Sequence, residues 1–294
     1  MRLVIVSGLS GSGKSVALQM LEDLNFYCVD NIPAGMLDAF LAQITHTQDP
    51  FFQKTAVGVD ARNRAEDILT VPRLVEKLRQ GELQCEVVFL HSDDDILLKR
   101  YSETRRKHPL SSDNFSLREA IAKERELLTP IVDAADLVID TTRTSVHELR
   151  ELVRKRIAQH EHGSLSILFE SFGFKHGVPS EADFVFDARC LPNPYWEPSL
   201  RSLTGHDEPV IRFLESHGSV RSMLEDIASF LETWIPHYDQ TDRNYLTIAI
   251  GCTGGQHRSV YLTNQLATRI AGKYKHVLIR HNELGAQSAD LVEA

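Results

Sequence analysis

The chain has 294 residues, 42% of them hydrophobic and 25% charged, with 32 Lys and Arg against 41 Asp and Glu and a formal net charge of −9. That length suits two domains, the composition is that of a folded globular protein, and the acidic balance argues against a general polyanion binder. Four cysteines, at 28, 85, 190 and 252, form no Cys-x-x-Cys pair, which argues against a zinc ribbon or disulfide framework and for a reducing compartment.

The opening residues, MRLVIVSGLSGSGKS, go directly into a strand pattern. Their apolar run, Leu3 to Val6, is too short for a signal peptide, and no 18-residue apolar stretch follows. A cytoplasmic protein with no membrane partner is expected. After the strand comes Gly-x-x-x-x-Gly-Lys-Ser, from Gly8 through Leu9, Ser10, Gly11, Ser12, Gly13 and Lys14 to Ser15. Helical periodicity then runs through Val16, Met20, Leu21 and Leu24. Strand, glycine loop and helix in this order make a P-loop, in which backbone N–H groups converge on phosphates at a helix N-terminus. Lys14 should reach the β- and γ-phosphates of ATP, and Ser15 should ligate magnesium.

Four further strand patterns end near an acid: FYCVDN at Asp30, AVGVDARN at Asp60, EVVFLHSDD at Asp93 and ADLVIDTT at Asp140. Helical patterns separate most of them, as in a parallel sheet with crossovers, where ligands gather at the carboxyl ends of strands. Asp30 and Asp60 are therefore candidates to hold magnesium, while a helix cap or a turn is the plainer role for either. The segment LLKRYSETRRKHP carries Lys99, Arg100, Arg105, Arg106 and Lys107. Arg105 and Arg106 are candidates to neutralise charge developing on a transferred phosphoryl group, and a solvated basic face is the alternative.

The polar stretch around residues 156–164, with His160 and His162, is read as a linker between a nucleotide domain at 1–155 and a second domain at 165–294. Residues 1–156 carry 21 Lys and Arg against 24 Asp and Glu, and residues 157–294 carry 11 against 17, so neither half is basic. The second half reads as a strand at 165–170, a loop rich in Phe, Gly and His, and the strand DFVFDAR. A long helix follows, whose stripe of Met223, Ile227, Phe230, Leu231 and Trp234 is read as core. Next come the strand YLTIAIG, the loop GCTGGQHRS, the helix SVYLTNQLATRIAG and the strand HVLIR. The loop has the Cys-x-x-Gly-x-x-Arg-Ser spacing of cysteine phosphatases, from Cys252 through Thr253, Gly254, Gly255 and His257 to Arg258 and Ser259. Its amides and Arg258 suit a phosphate, and a thiolate nucleophile or a structural turn are the other readings.

Taken together, SGLSGSGKSVAL, LEDLNFYCVDN, VDARN, RYSETRRKHPL, FESFGFKHG, FDARCLPNPYW and LTIAIGCTGGQHRSV resemble the RapZ/YvcJ-like nucleotide-binding proteins, called RNase adapter proteins in enteric bacteria. The resemblance covers nearly the whole chain. It implies an α/β protein with an N-terminal P-loop NTPase domain, a small-kinase-like parallel sheet that hydrolyses ATP and GTP. It also implies a C-terminal α/β domain resembling part of phosphofructokinase. ATP is then expected on Gly8–Ser15 and GTP on Asp60, Ala61, Arg62 and Asn63, with Mg2+ as cofactor. An amino-sugar phosphate is expected at His176, Cys252, Thr253, Gly254 and Arg258, with Gly255, His257 and Ser259 completing the loop.

In the enteric branch the second domain binds small RNA and directs RNase E to it, so small RNA, an RNase and a homo-oligomer are expected partners. Two departures stand out. Tyr195 replaces a pocket histidine of the enteric members, and the C-terminus, RHNELGAQSADLVEA, has one Arg against three acids where theirs is basic. The expected function is a slow nucleotide hydrolase acting as a regulator of amino-sugar phosphate metabolism. A small-molecule kinase and a cysteine-type phosphatase are the rivals.

Overall fold

Leu3, Val4, Ile5 and Val6 are wholly buried, so both faces of their strand are covered, as in the centre of a parallel sheet packed between helices. Each such side chain contributes about 2 kcal/mol relative to exposure. The computed structural model describes residues 1–47, 49–80, 83–104, 107–111, 115–158, 165–241, 243–284 and 290–292. They fall into two units, Met1–Ala158 and Gln159–Ala294.

Unit 1 runs β1 (Arg2–Gly8), α1 (Lys14–Asp23), β2 (Tyr27–Val29), α2 (Leu37–Thr47), β3 (Lys54–Gly58), α3 (Ala65–Ile68), α4 (Val71–Arg79) and β4 (Gln84–His91). It continues through α5 (Asp94–Thr104), α6 (Leu117–Asp133), β5 (Leu137–Asp140) and α7 (Val146–Leu152). The sheet order is β2-β3-β1-β4-β5, with every pairing parallel. The chain leaves β1 toward one edge and returns to β4 on its other side. This makes the carboxyl end of β1 the switch point where such sheets bind ligands. Beyond α7, the turn Val153–Ala158 belongs to this unit: Arg156 and Ile157 are buried, and the Arg2 guanidinium donates to the Ile157 carbonyl. The expected linker therefore gives up residues 156–158 to unit 1, because Ile157 is packed as core. Its residues 159–164, with His160 and His162, lie outside the described residues.

Unit 2 runs β6 (Ser166–Gly173), β7 (Phe184–Asp187), α8 (Glu208–Glu215), α9 (Gly218–Asp239), β8 (Tyr245–Cys252), α10 (Arg258–Ala271), β9 (His276–His281) and β10 (Asp290–Leu291). Its sheet order is β10-β9-β6-β8-β7, parallel except for β10 on β9. The stripe read as core on α9 holds only in part. Ile227 and Leu231 are buried, but Phe230 and Trp234 are 38% and 46% exposed. Phe230 lies edge-on to Phe184 and Phe186 of β7, which among the described residues is the edge strand of this sheet. Among the described residues, no helix is long and apolar enough to cross a membrane.

Candidate functional site

The first loop follows β1. Gly13 caps α1 at φ 105°, a left-handed conformation that favours glycine, and a Cβ there would lie 2.6 Å from the tip of the Leu149 side chain, which would have to shift. Because α1 starts at Lys14 with no side-chain cap, its first amides lack intrahelical acceptors. The Gly13 carbonyl serves Val16 and Ala17, which leaves the amides of Lys14 and Ser15 as the helix's open donors. Side chains from outside hold the rest of the loop. The Thr141 hydroxyl donates to the Ser12 carbonyl at 2.8 Å, and Arg100 Nη1 donates to the Gly11 carbonyl at 3.0 Å. Arg100, read as part of a basic face, is thus turned inward, and burial holds its guanidinium below its ordinary value.

Lys14 lies buried between two carboxylates. Its Nζ is 2.9 Å from Asp30 Oδ1 and 2.7 Å from Asp60 Oδ2, one acid from the end of β2 and one from just beyond β3. Asp60 also accepts the Arg62 amide at 3.0 Å and Arg62 Nη2 at 2.6 Å. Burial alone would push the Asp60 carboxyl up. The hydrogen bonds from Arg62 and Lys14, with the charge of Lys14, outweigh it and hold the group at about 2. Ser15 is exposed and Leu9 is core. In the stretch expected to meet GTP, Ala61 is buried and Asn63 is engaged in the turn, its Oδ1 accepting from Ala34 N at 2.6 Å and its Nδ2 donating to the Asp60 carbonyl at 3.1 Å. Arg62 is half exposed, with its carboxylate partner behind it. Arg105 and Arg106 lie outside the described residues.

The second loop follows β8 and enters α10 in the same way. Gly255 stands at φ 73°, where a Cβ would meet Glu283 and the backbone of Gly173. Cys252 is buried, and its sulfur accepts the Gly255 amide at 3.2 Å and lies 3.2 Å from the Ser259 hydroxyl. Burial raises this thiol, but the hydrogen bonds from Ser259 and Gly255 and the charge of Arg258 prevail, leaving it below its ordinary value. Arg258 is buried too, and its Nη1 donates to the carbonyls of Arg189 and Leu191 at 2.9 and 3.0 Å. Its Nη2 reaches Thr253 Oγ1 at 3.3 Å.

Thr253 and Gly254 form the open side of the loop, where no atom of the described residues other than its chain neighbours lies within 4 Å of the position a Gly254 Cβ would take. His176 Nε2 lies 3.1 Å from Glu283 Oε2, and Arg189 stacks 3.8 Å from the Phe174 ring while paired to Asp187. His257 is buried, and burial holds its imidazole below its ordinary value. Tyr195 is exposed beneath the Arg201 guanidinium, 4.9 Å from the ring centroid.

Sequence reasoning missed the groups that back the first loop. Thr141 and Arg100 carry no motif. Glu124 carries a signal, since it stands on α6 three residues after Ile121 and four before Leu128, a charge on an apolar stripe.

The sheet order, with a Gly-x-x-x-x-Gly-Lys-Ser loop between its central strand and the following helix, defines unit 1 as an α/β domain of the P-loop NTPase class. The RapZ-like N-terminal domain matches residues 1–161 and the RapZ C-terminal domain matches residues 165–285; the chain belongs to this family. It is 52% identical over 283 residues to a protein of Alkalilimnicola ehrlichii named nucleotide-binding protein, covering 96% of this chain and 98% of that one. A relative of the same name from Hahella chejuensis is 50% identical over 284 residues, covering 97% and 99%. Among solved structures, a shikimate kinase from Bacteroides thetaiotaomicron is similar at 14% identity and a TM-score of 0.34, covering 52% of this chain and 96% of that one.

Proposed function

We propose that this protein binds ATP or GTP on the Gly8–Ser15 loop, hydrolyses it slowly, and uses nucleotide state to regulate rather than to supply metabolic flux. The observation that carries this is Lys14, the loop's own cation, held between Asp30 and Asp60 beside the open first-turn amides of α1. Arg62 stays on Asp60 when Lys14 turns to a phosphate, so the exchange leaves no buried charge unpaired. The name of the curated relatives, nucleotide-binding protein, agrees. The Ser15 hydroxyl and the carboxylates of Asp30 and Asp60 are an all-oxygen donor set that fits Mg2+, which when bound neutralises charge on the β- and γ-phosphates. Arg62 is the member of the Asp60–Asn63 turn available to a GTP phosphate, and Arg105 and Arg106 are assigned to the transferred phosphoryl group.

For unit 2 we propose an amino-sugar phosphate as ligand, with its phosphate on the loop from Cys252 to Ser259 and the sugar toward His176. The open side at Thr253 and Gly254 and the inward-facing Arg258 support this reading. Cys252 serves as part of the cradle, since its sulfur is buried and engaged by the Gly255 amide. Small RNA, an RNase and self-association are assigned on family membership, and the acidic second half argues for weak RNA contact.

A thermal-shift panel tests both sites, with ATP, GTP, ADP, glucosamine-6-phosphate and inorganic phosphate on the whole chain. A ligand at 100 times its Kd stabilises by about 2.7 kcal/mol. Nucleotides are expected to raise the transition of unit 1 and the sugar phosphate that of unit 2. A flat response to ATP and GTP overturns the nucleotide reading.

A further inference from the structure

A buried carboxylate backs the apex of the phosphate loop. Glu124 on α6 is wholly inaccessible to solvent, on a stripe it shares with Ile121, Leu128 and Ile131. Such a group is tolerated only where donors satisfy its oxygens. Here the Ser10 amide donates to Oε2 at 2.9 Å, the Ser10 hydroxyl to Oε1 at 2.6 Å, and His108 Nε2 lies 3.0 Å from Oε2. His108 Nδ1 accepts the Leu110 amide at 3.1 Å, so the ring's hydrogen sits on Nε2 and points at Glu124. The imidazole packs against Tyr101 at 5.3 Å, and the Ser111 hydroxyl donates to the His108 carbonyl at 2.7 Å.

Ser10 is the third residue of Gly-x-x-x-x-Gly-Lys-Ser, and its amide is committed to Glu124 rather than offered to a phosphate. One oxygen, Oε2, accepts from both Ser10 and His108, so the loop apex cannot shift without disturbing the segment 107–111 that follows Arg105 and Arg106 in the chain. We propose that Glu124 is a positioning residue: it fixes the apex of the phosphate loop and couples it through His108 to residues 107–111. It thereby governs the rate of γ-phosphoryl cleavage more than affinity for the nucleotide. This rests on the nucleotide reading of Gly8–Ser15. The split follows from geometry, because the open amides of Lys14 and Ser15 at the start of α1, the donors expected to meet a β-phosphate, do not touch Glu124.

The coupling is tested without nucleotide, by amide hydrogen exchange on the whole chain. His108→Ala is expected to speed exchange in residues 8–15 about threefold or more, and Ser10→Ala to do the same for residues 107–111, with residues 166–173 unchanged. If each variant loosens only its own segment, the coupling is wrong. The kinetic role is tested by substituting the carboxylate. In Glu124→Gln, the side-chain carbonyl still accepts from Ser10 and His108 and the NH2 donates to the Ser10 hydroxyl, so kcat for ATP hydrolysis should keep about half its value or more. Glu124→Ala should lower kcat about tenfold or more while Kd for ADP moves less than about threefold. An unchanged kcat, or equal losses in kcat and ADP binding, overturns the proposal. Should Glu124→Ala fail to fold, His108→Ala is measured for the same split. If the wild-type chain binds no nucleotide, the nucleotide reading fails, while hydrogen exchange still decides the coupling.

Discussion

Gly8–Ser15 and Cys252–Ser259 each join the end of a buried strand to the first turn of a helix, yet Lys14 rests on two carboxylates and Arg258 on two main-chain carbonyls. The difference sets what each cation is free to do. On the proposed nucleotide reading, Lys14 drawn to a phosphate would leave behind an Asp60 still paired with Arg62. Arg258 cannot turn wholly to a ligand, because the carbonyls of Arg189 and Leu191 would lose their donor, the latter inside the protein. The two loops share a strand–loop–helix frame, and the partners of each cation set whether its charge can be exchanged or is part of the scaffold.

Replacing each cation is the strongest way to break that contrast. Lys14→Ala should reduce ATP and GTP hydrolysis by about 100-fold or more, with the thermal transition of unit 2 unmoved. Hydrolysis at the wild-type rate would remove Gly8–Ser15 as the source of activity. Arg258→Ala should lose phosphate-ligand binding and also lower the stability of unit 2 by about 2 kcal/mol, since two carbonyls lose their donor. Cys252→Ser should keep ligand binding within about threefold, because a thiol is a weak donor beside a guanidinium. Calorimetric titration with the sugar phosphate, paired with denaturant melts, separates the two effects. A stable, non-binding Arg258→Ala variant would show its charge to be as exchangeable as that of Lys14.

Acid titration probes the carboxylate side. The folded value of Asp60, about 2, lies below its ordinary 3.8, so the group adds stability that is fully present above pH 4 and lost as pH falls through 2. The contribution is about 2 kcal/mol at neutral pH. Lys14→Ala removes one of the donors that depress the value and should flatten this acid arm, whereas Arg258→Ala should leave it unchanged. Urea melts at stepped pH values check it.

The two loops and their flanking strands were legible because glycine spacing and a change of period from strand to helix are local signals. The C-terminal strand–loop–helix–strand run was legible for the same reason, with YLTIAIG and HVLIR emerging as β8 and β9. What escaped was lateral. That Arg100 turns onto Gly11, that Thr141 holds Ser12, and that Arg258 braces the chain around Cys190 depend on contacts between residues from 67 to 129 positions apart. No periodicity encodes them. Phe230 and Trp234 escaped differently, since an apolar stripe on a helix does not say where the sheet beneath it ends.

The smallest effect expected concerns long polyanions. A discrete phosphate needs one cradle, whereas RNA needs many cations in a row, and log K falls with log salt by about 0.7 per contact on a single strand. The segment after Ile279 has one Arg and three acids, and residues 157–294 carry 11 Lys and Arg against 17 Asp and Glu. Affinity for small RNA should therefore be weak and its salt dependence shallow, with what binding there is drawn from shape recognition near the Arg258 loop. Grafting a Lys- and Arg-rich tail after residue 280 should strengthen binding and steepen the salt slope by about 0.7 for each added contact, without changing the sugar-phosphate affinity of the second loop. Salt-titrated filter binding on the native and grafted chains measures both slopes. A steep slope in the native chain would mean that assembled copies present a basic surface that neither loop supplies.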